Sequence, residues 1–320
     1  MVQKKLDNVQ TLPSWTSYMA SVGGCLLKAG MFSGDIVDLM GQTGMAFHFI
    51  VRNDVCPSGP TVYDWHQEHF MMLDRLGIHS NQLAVFNNGK LNTYGLIREQ
   101  AIQMVRQSID RGVPVVTWAP TPILEFGILT GYDDAQKAFS VSTCVDENPD
   151  PLLYDNLGIS EVPWLYMHVF LEKVDVPEER KMRQALEWGV KEWNSPAEFL
   201  PGYARGKMAY QFLAAALEKK AFNPFGLTYN LAVYADAKKH LAQFAERIAH
   251  KYPNMANVKE ALEPLKEVAS LFESMAQRIP FQGPNPNVRV EAEKIAPTLK
   301  EVQHAAELED KAMSILQASL

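Results

Sequence analysis

The sequence has few cysteines and no long hydrophobic run. Only three thiols occur in 320 residues, Cys25, Cys56 and Cys144, and none belongs to a CxxC pair. An odd, small number of cysteines argues against a disulfide framework. No segment reaches the roughly 18 consecutive apolar residues of a membrane span, and residues 1–13 have no signal-peptide core. These absences predict a cytoplasmic protein that has no membrane partner.

An excess of positive charge is also missing. The formal net charge is -7 and the sequence pI is near 5.7, which argues against nucleic acid as a partner because phosphate binding needs clustered Lys and Arg. The phosphate-cradling patterns GxxxxGK[ST] and GxGxxG do not occur, so we expect no nucleotide and no other cofactor. The hydrophobic content of 47% is sufficient for a packed core.

The N-terminal half alternates helical and strand patterns. Helical spacing of apolar residues predicts helices over Trp15–Ala29 and Leu96–Arg111. The run MAFHFIV at 45–51 indicates a buried strand. Residues 125–142 predict a β-hairpin that turns at 133–136, and Val162–Leu171 predicts a last strand.

After about Val176 the pattern becomes almost entirely helical. Five amphipathic segments are separated by short turns that contain Pro or Gly, which is typical of a compact bundle. The prediction is an α+β protein with an α/β domain at 1–175 that contains an antiparallel sheet, and an all-α helical bundle at 176–320. A surface of the bundle is a candidate homodimer interface.

Three segments of the N-terminal half carry a family resemblance. They are SYMASVGGCLLKAG at Ser17–Gly30, VPVVTW at 113–118, and EFGILTGYDD at Glu125–Asp134. Their order resembles the papain-like fold of the double-glycine peptidases and, more closely, the N-terminal domain of the butirosin-biosynthesis protein H family. The resemblance implies a cleft between the first helix and the sheet.

The resemblance implies that a Cys begins the helix and a His begins the strand in that family. The helix dipole favours the thiolate form of the Cys, and the imidazole takes its proton. In this sequence Ser17 stands in the place of the Cys, Glu125 in the place of the His, and Gln10 near the place of the oxyanion Gln. The family's peptidase or acyl-transfer chemistry therefore does not carry over residue by residue.

Within the implied cleft, Gln10, Tyr18, Trp118, Tyr132 and Asp133 are the predicted ligand-binding residues. The leading hypothesis is a protein that binds a small molecule with an amine or acyl group, without cysteine-peptidase catalysis. Turn chemistry alone also explains the Gly-Tyr-Asp-Asp run, since Asp favours such positions.

The alternative hypothesis is an acyltransferase or amide hydrolase with a rebuilt site. Its candidate groups are Ser17, with Cys25 as an alternative nucleophile, and Glu125 and His48 as acid or base. Three of these residues also have a simpler interpretation. Cys25 shares an apolar stripe and is expected to be a buried hydrophobe, His48 a satisfied structural histidine, and Glu125 an exposed carboxylate at a strand start.

Two further features carry weaker signals. His66 and His69 have the i, i+3 spacing of metal ligands on a helix, but the HExxH arrangement is absent, so a solvent-facing helix surface is expected and no metal is predicted. Cys56 lies in a Pro- and Gly-containing loop and is a candidate reactive thiol without an identifiable base.

Overall fold

The computed structural model describes residues 3–146, 148–195, 198–283, 285 and 287–318. The chain divides into two compact units, of which unit 1 contains residues 1–39 and 64–176 and unit 2 contains residues 40–63 and 177–320. The division after Val176 lies within one residue of the predicted boundary. A single cut does not describe the chain, however, because residues 40–63 pack with the helical unit.

Nine strands and nine α-helices form the described part of the chain. The strands are β1 (Gln3–Lys5), β2 (Ile50–Arg52), β3 (Ile78–Phe86), β4 (Val115–Trp118), β5 (Phe126–Asp133), β6 (Ala138–Thr143), β7 (Leu152–Leu153), β8 (Trp164–Lys173) and β9 (Tyr203–Arg205). The helices are α1 (Ser17–Lys28), α2 (Ile36–Thr43), α3 (Trp65–Arg75), α4 (Tyr94–Asp110), α5 (Glu178–Trp193), α6 (Lys207–Glu218), α7 (Pro224–Lys251), α8 (Ala256–Arg278) and α9 (Ala292–Gln317).

Unit 1 is built on an antiparallel sheet in the order β3-β8-β4-β5-β6-β7, with β1 paired to the far end of β5. Side chains alternate between the two faces of each strand. On β8, Leu165, Met167 and Val169 face a core shared with α4. The opposite face of β8 carries His168, which meets Tyr18 of α1. The sheet is therefore covered by α4 on one face and by α1 and α3 on the other.

Helix α1 lies close to the chain that precedes it because it carries glycine at its centre. A Cβ atom on Gly24 would lie 2.1 Å from the backbone oxygen of Gln10 and 2.9 Å from the side chain of Ile128 on β5. A larger residue would push the helix away from both neighbours. This close packing holds the first turn of α1 against the sheet edge.

Unit 2 contains the five predicted C-terminal helices, α5 to α9, together with the small sheet formed by β2 and β9. The strand predicted at 45–51 is wrong in its first half. Residues Met45–Phe47 form a 3₁₀ helix, and strand β2 begins only at Ile50. Gly44, which has φ of 81°, starts this turn. The prediction fails because a short apolar run without polar alternation fits a buried turn as well as a strand.

The predicted hairpin is confirmed as β5 and β6, and the predicted last strand as β8. The helix predicted over Leu96–Arg111 is α4, and it starts two residues earlier. Among the described residues, no helix combines the length and the apolar character needed to cross a bilayer.

Candidate functional site

A hydrogen bond joins the start of α1 to the start of β5. The hydroxyl of Ser17 donates to Oε2 of Glu125 across 2.5 Å, and the backbone N–H of Phe126 donates to the same Ser17 oxygen across 3.1 Å. Ser17 is buried, whereas Glu125 is half-buried. The carbonyl of Glu125 accepts the N–H of Ala119, which closes the β4–β5 connection and fixes the carboxylate's position. We call these two residues the Ser17–Glu125 pair.

Aromatic rings surround the residue that follows Glu125 in the chain. Trp118 is the register partner of Phe126, and their ring centroids lie 5.0 Å apart. Trp65, from the first turn of α3, lies 4.9 Å from Phe126 and 5.0 Å from Trp118. Trp164 of β8 lies 5.8 Å from Trp65. These four residues, Trp65, Trp118, Phe126 and Trp164, form the aromatic cluster beside the Ser17–Glu125 pair.

A buried polar network lies behind the pair. The ring of Tyr18 stacks on His69 at 3.4 Å, and its hydroxyl shares a hydrogen bond of 2.9 Å with Nδ1 of His168. The hydroxyl of Tyr166 shares one of 2.6 Å with Nδ1 of His69. Burial, reinforced by the charge of His66, lowers the pKa of His168 to about 3. His168 is therefore neutral at physiological pH and acts as a hydrogen-bond partner, not as a charge.

The expectation that His66 and His69 share a solvent-facing surface is wrong for His69. Its ring is fully buried between Tyr18 and Tyr166, while His66 is exposed. The i, i+3 spacing places both histidines on one side of α3. Because α3 packs on the sheet, however, the edge of its buried surface falls between the two rings, so that His69 is covered and His66 is not. Within the described ranges, no three His, Cys, Asp or Glu side chains gather as a metal site requires.

Cys144 lies one residue beyond β6, next to the start of β5. Its neighbour Thr143 pairs with Gly127, which places Cys144 beside Glu125 and Phe126. The residue is exposed, yet the atoms around its sulfur and the negative charge of Glu125 raise the pKa of the thiol to about 11. Cys144 is therefore a neutral thiol at pH 7, and its pKa responds to the carboxylate of the pair.

Two predicted ligand-binding residues lie far from the pair. Tyr132 and Asp133 end β5, and a strand that rises about 3.3 Å per residue places Asp133 roughly 25 Å along the chain from Glu125. The Tyr132 hydroxyl donates to Asp110 across 2.9 Å, and Asp133 accepts the N–H groups of the hairpin turn. The strand therefore separates them from Ser17, since the segment that carries the resemblance runs the full length of β5.

Four other predicted residues have different surroundings. Gln10 is exposed, and its backbone lies at Gly24, two helical turns beyond Ser17. Cys25 is fully buried, which raises the pKa of its thiol well above the usual value and confirms the interpretation as a buried hydrophobe. Of the remaining two, Trp118 belongs to the aromatic cluster and donates to a backbone carbonyl, and Tyr18 stands next to Ser17 in the buried network.

His48 belongs to unit 2, where its Nδ1 lies 3.0 Å from Oε1 of Glu192. Burial raises the pKa of Glu192, but His48, Arg205 and the backbone of Phe49 together outweigh it, so that the pKa is lowered overall. The ring also meets Tyr63 edge-on at 4.5 Å. His48 is therefore paired through Nδ1, whereas its Nε2 is buried without a hydrogen-bond partner among the described residues, so the expectation of a satisfied structural histidine holds for only one of its two ring nitrogens.

Comparison with known proteins does not identify a family for this chain. No protein-family model matches it. No curated protein matches it either. The resemblance to the papain-like fold therefore stays a prediction that rests on the residues quoted above.

Sequence reasoning missed Trp65, Trp164 and His168. A signal for two of them was present, because Trp164, Tyr166, His168 and Phe170 recur at every second position and so share one face of a strand. A strand that puts an aromatic or imidazole ring at each inward position indicates a ring-lined face. No such signal existed for Trp65, whose partners come from three other elements.

Proposed function

We propose that this protein binds a small molecule with an amine or acyl group at the Ser17–Glu125 pair, on a papain-like scaffold that has lost cysteine-peptidase chemistry. The proposal includes a cytoplasmic location. The observation that carries it is the 2.5 Å hydrogen bond between Ser17 and Glu125, at the two positions where the resembling family has its Cys and His.

The chemistry of the pair favours binding over peptide cleavage. A serine hydroxyl is a poor nucleophile without a strong base, and a carboxylate is ordinarily a weaker base than an imidazole. The same two groups are good recognition elements, because Glu125 is half-buried and both accept hydrogen bonds. Ligand pockets combine a few such polar groups with aromatic walls, as the cluster provides here.

Thermal-shift screening with amino acids, polyamines and acyl thioesters tests this function. A ligand at 100 times its dissociation constant adds about 2.7 kcal/mol to the free energy of unfolding. We expect at least one compound to raise the melting temperature of the wild type, and Glu125→Gln and Ser17→Ala to lose most of that shift.

Asp133→Asn is the matched control for this screen, because Asp133 ends the strand that begins directly after Glu125 and accepts hydrogen bonds from the distant turn. The control protein should keep the full shift. The proposal fails if no compound stabilises the wild type, or if Asp133→Asn loses the shift as completely as Glu125→Gln does.

A second candidate function is acyl transfer at Ser17, which the same short hydrogen bond favours. Oγ of Ser17 would attack the carbonyl carbon of an acyl thioester while its proton passes to Glu125. Collapse of the tetrahedral intermediate would release the thiolate, which takes that proton back from Glu125, and leave an ester on Ser17. Every atom in this step comes from the thioester or from the pair.

Intact-mass measurement after exposure to an acyl thioester tests the second candidate. Cys144 is an exposed thiol beside Glu125, so the background protein should be Cys144→Ser. If Ser17 is acylated, that protein gains one acyl mass, Ser17→Ala on the same background gains none, and Cys25→Ala still gains it. An adduct that persists after Ser17→Ala excludes this chemistry without affecting the binding proposal.

A further inference from the structure

We infer that the ligand of the Ser17–Glu125 pair is an organic cation, an alkyl-substituted ammonium group held between the Glu125 carboxylate and the faces of the aromatic cluster. This inference rests on the proposed binding function and narrows its ligand to one chemical class. The pair supplies one carboxylate and the cluster supplies three tryptophans. Only the two together indicate this class of ligand.

The first step in the argument is the reach of the negative charge. Glu125 is half-buried, and its charge contributes to raising the pKa of the exposed Cys144 thiol. The field of the carboxylate therefore extends to groups on the solvent side of the sheet edge. A cation that approaches this edge is attracted, and an anion is repelled, in a protein whose net charge is already -7.

The second step is the geometry of the rings. Trp65 is inclined by 54° to Trp118 and by 46° to Trp164, so the three indole rings pack at an angle to one another and do not form a parallel stack. Trp65 and Trp164 are both half-buried, and Phe86, which is 45% exposed, packs on Trp164 at 5.2 Å. Trp65, Trp164 and Phe86 are thus the part of the cluster that solvent, and a ligand, can reach.

The third step is the match between ring faces and charge. The face of an aromatic ring carries negative potential, and tryptophan attracts cations most strongly of the aromatic residues. Walls of this kind are used to recognise quaternary ammonium groups. A neutral apolar ligand would gain only ring contact and would also partly dehydrate Glu125 without compensation. A carboxylate ligand would meet like charge. The alkylated cation is the class that satisfies both features.

Choline and its neutral isostere 3,3-dimethylbutan-1-ol form a matched pair of probes for the full-length protein. We expect choline to bind at least tenfold more tightly than the isostere by calorimetry, and to change the tryptophan fluorescence. Glu125→Gln should reduce this preference to about twofold. Trp65→Leu should weaken choline binding about fivefold, whereas Trp65→Phe, which keeps an aromatic face, should retain most of it.

Melting temperatures of the variants without ligand establish that they are folded, and Trp164→Leu repeats the test if Trp65→Leu is not. Equal binding of choline and the isostere overturns the cation inference. It is also overturned if Glu125→Gln keeps the wild-type preference. In either case the binding function survives when another compound from the screen depends on Ser17 and Glu125. If no compound of any class binds, both proposals fail together.

Discussion

Replacing Lys238 by Met should lower the free energy of unfolding of unit 2 by about 3–5 kcal/mol. Nζ of Lys238 donates to Glu309 across 2.5 Å, the Tyr210 hydroxyl donates to the other carboxylate oxygen, and the side chains of Lys238 and Glu309 are each only 1% exposed. The ammonium also lies 4.9 Å from the centre of the Phe49 ring. Without Lys238 the Glu309 charge stays buried with a single neutral donor. Chemical denaturation followed by circular dichroism measures the loss.

Helix α9, which carries Glu309, also forms a matched exposed pair with α6. Lys207 donates to Asp310, the residue next to Glu309, across 2.9 Å, but these side chains are 55% and 42% exposed. Lys207→Met should cost no more than about 1 kcal/mol, because water screens the pair. The double change Lys238→Met with Glu309→Leu should recover much of the loss, since it leaves no unpaired charge. Equal costs for the two single lysine changes would refute the assigned difference.

Acidification from pH 7 to pH 5 should destabilise unit 1 by about 2 kcal/mol through His168 alone. Its pKa is lowered to about 3 in the folded protein, against an ordinary value of 6.5. Between pH 6.5 and pH 3, His168 is protonated in the unfolded chain but stays neutral in the folded protein. The contribution of His168 to stability is therefore complete above pH 6.5 and is lost as the pH falls towards 3.

The pH dependence can be assigned with two variants. His168→Gln keeps a hydrogen-bonding side chain for Tyr18 but does not titrate, so the loss between pH 7 and pH 5 should shrink by most of that 2 kcal/mol. His304→Gln, which removes an exposed histidine paired with Glu267, should leave it unchanged. Tryptophan fluorescence follows unit 1, which contains four of the six tryptophans. An unaltered slope in His168→Gln would assign the dependence to another group.

Most of the secondary structure follows from local patterns. Apolar residues at helical spacing predicted α1, α4 and the five C-terminal helices, because a helix buries one stripe whatever lies opposite it. The hairpin β5–β6 could also be predicted locally, because two strand patterns joined by a short turn are typical of a hairpin. The pattern failed at Met45–Phe47, where a short apolar run suits a buried turn as well as a strand.

The candidate site was only partly readable. The family resemblance pointed to Ser17 and Glu125, and the structure places the two side chains in contact. It also pointed to Tyr132 and Asp133, which the length of β5 carries to the other end of the sheet. A linear motif states the order of residues along a strand. It does not state which of them a ligand could reach together.

By itself, the sequence determined the alternation of strands and helices in the first half and the helical second half, and its resemblance to the papain-like fold predicted that Ser17 and Glu125 lie together. Only the tertiary structure decided the aromatic cluster, the buried Lys238–Glu309 pair and the assignment of residues 40–63 to unit 2. Local patterns record which face of an element is buried. Which faces meet depends on packing between segments far apart in the chain, and no short window of sequence contains that information.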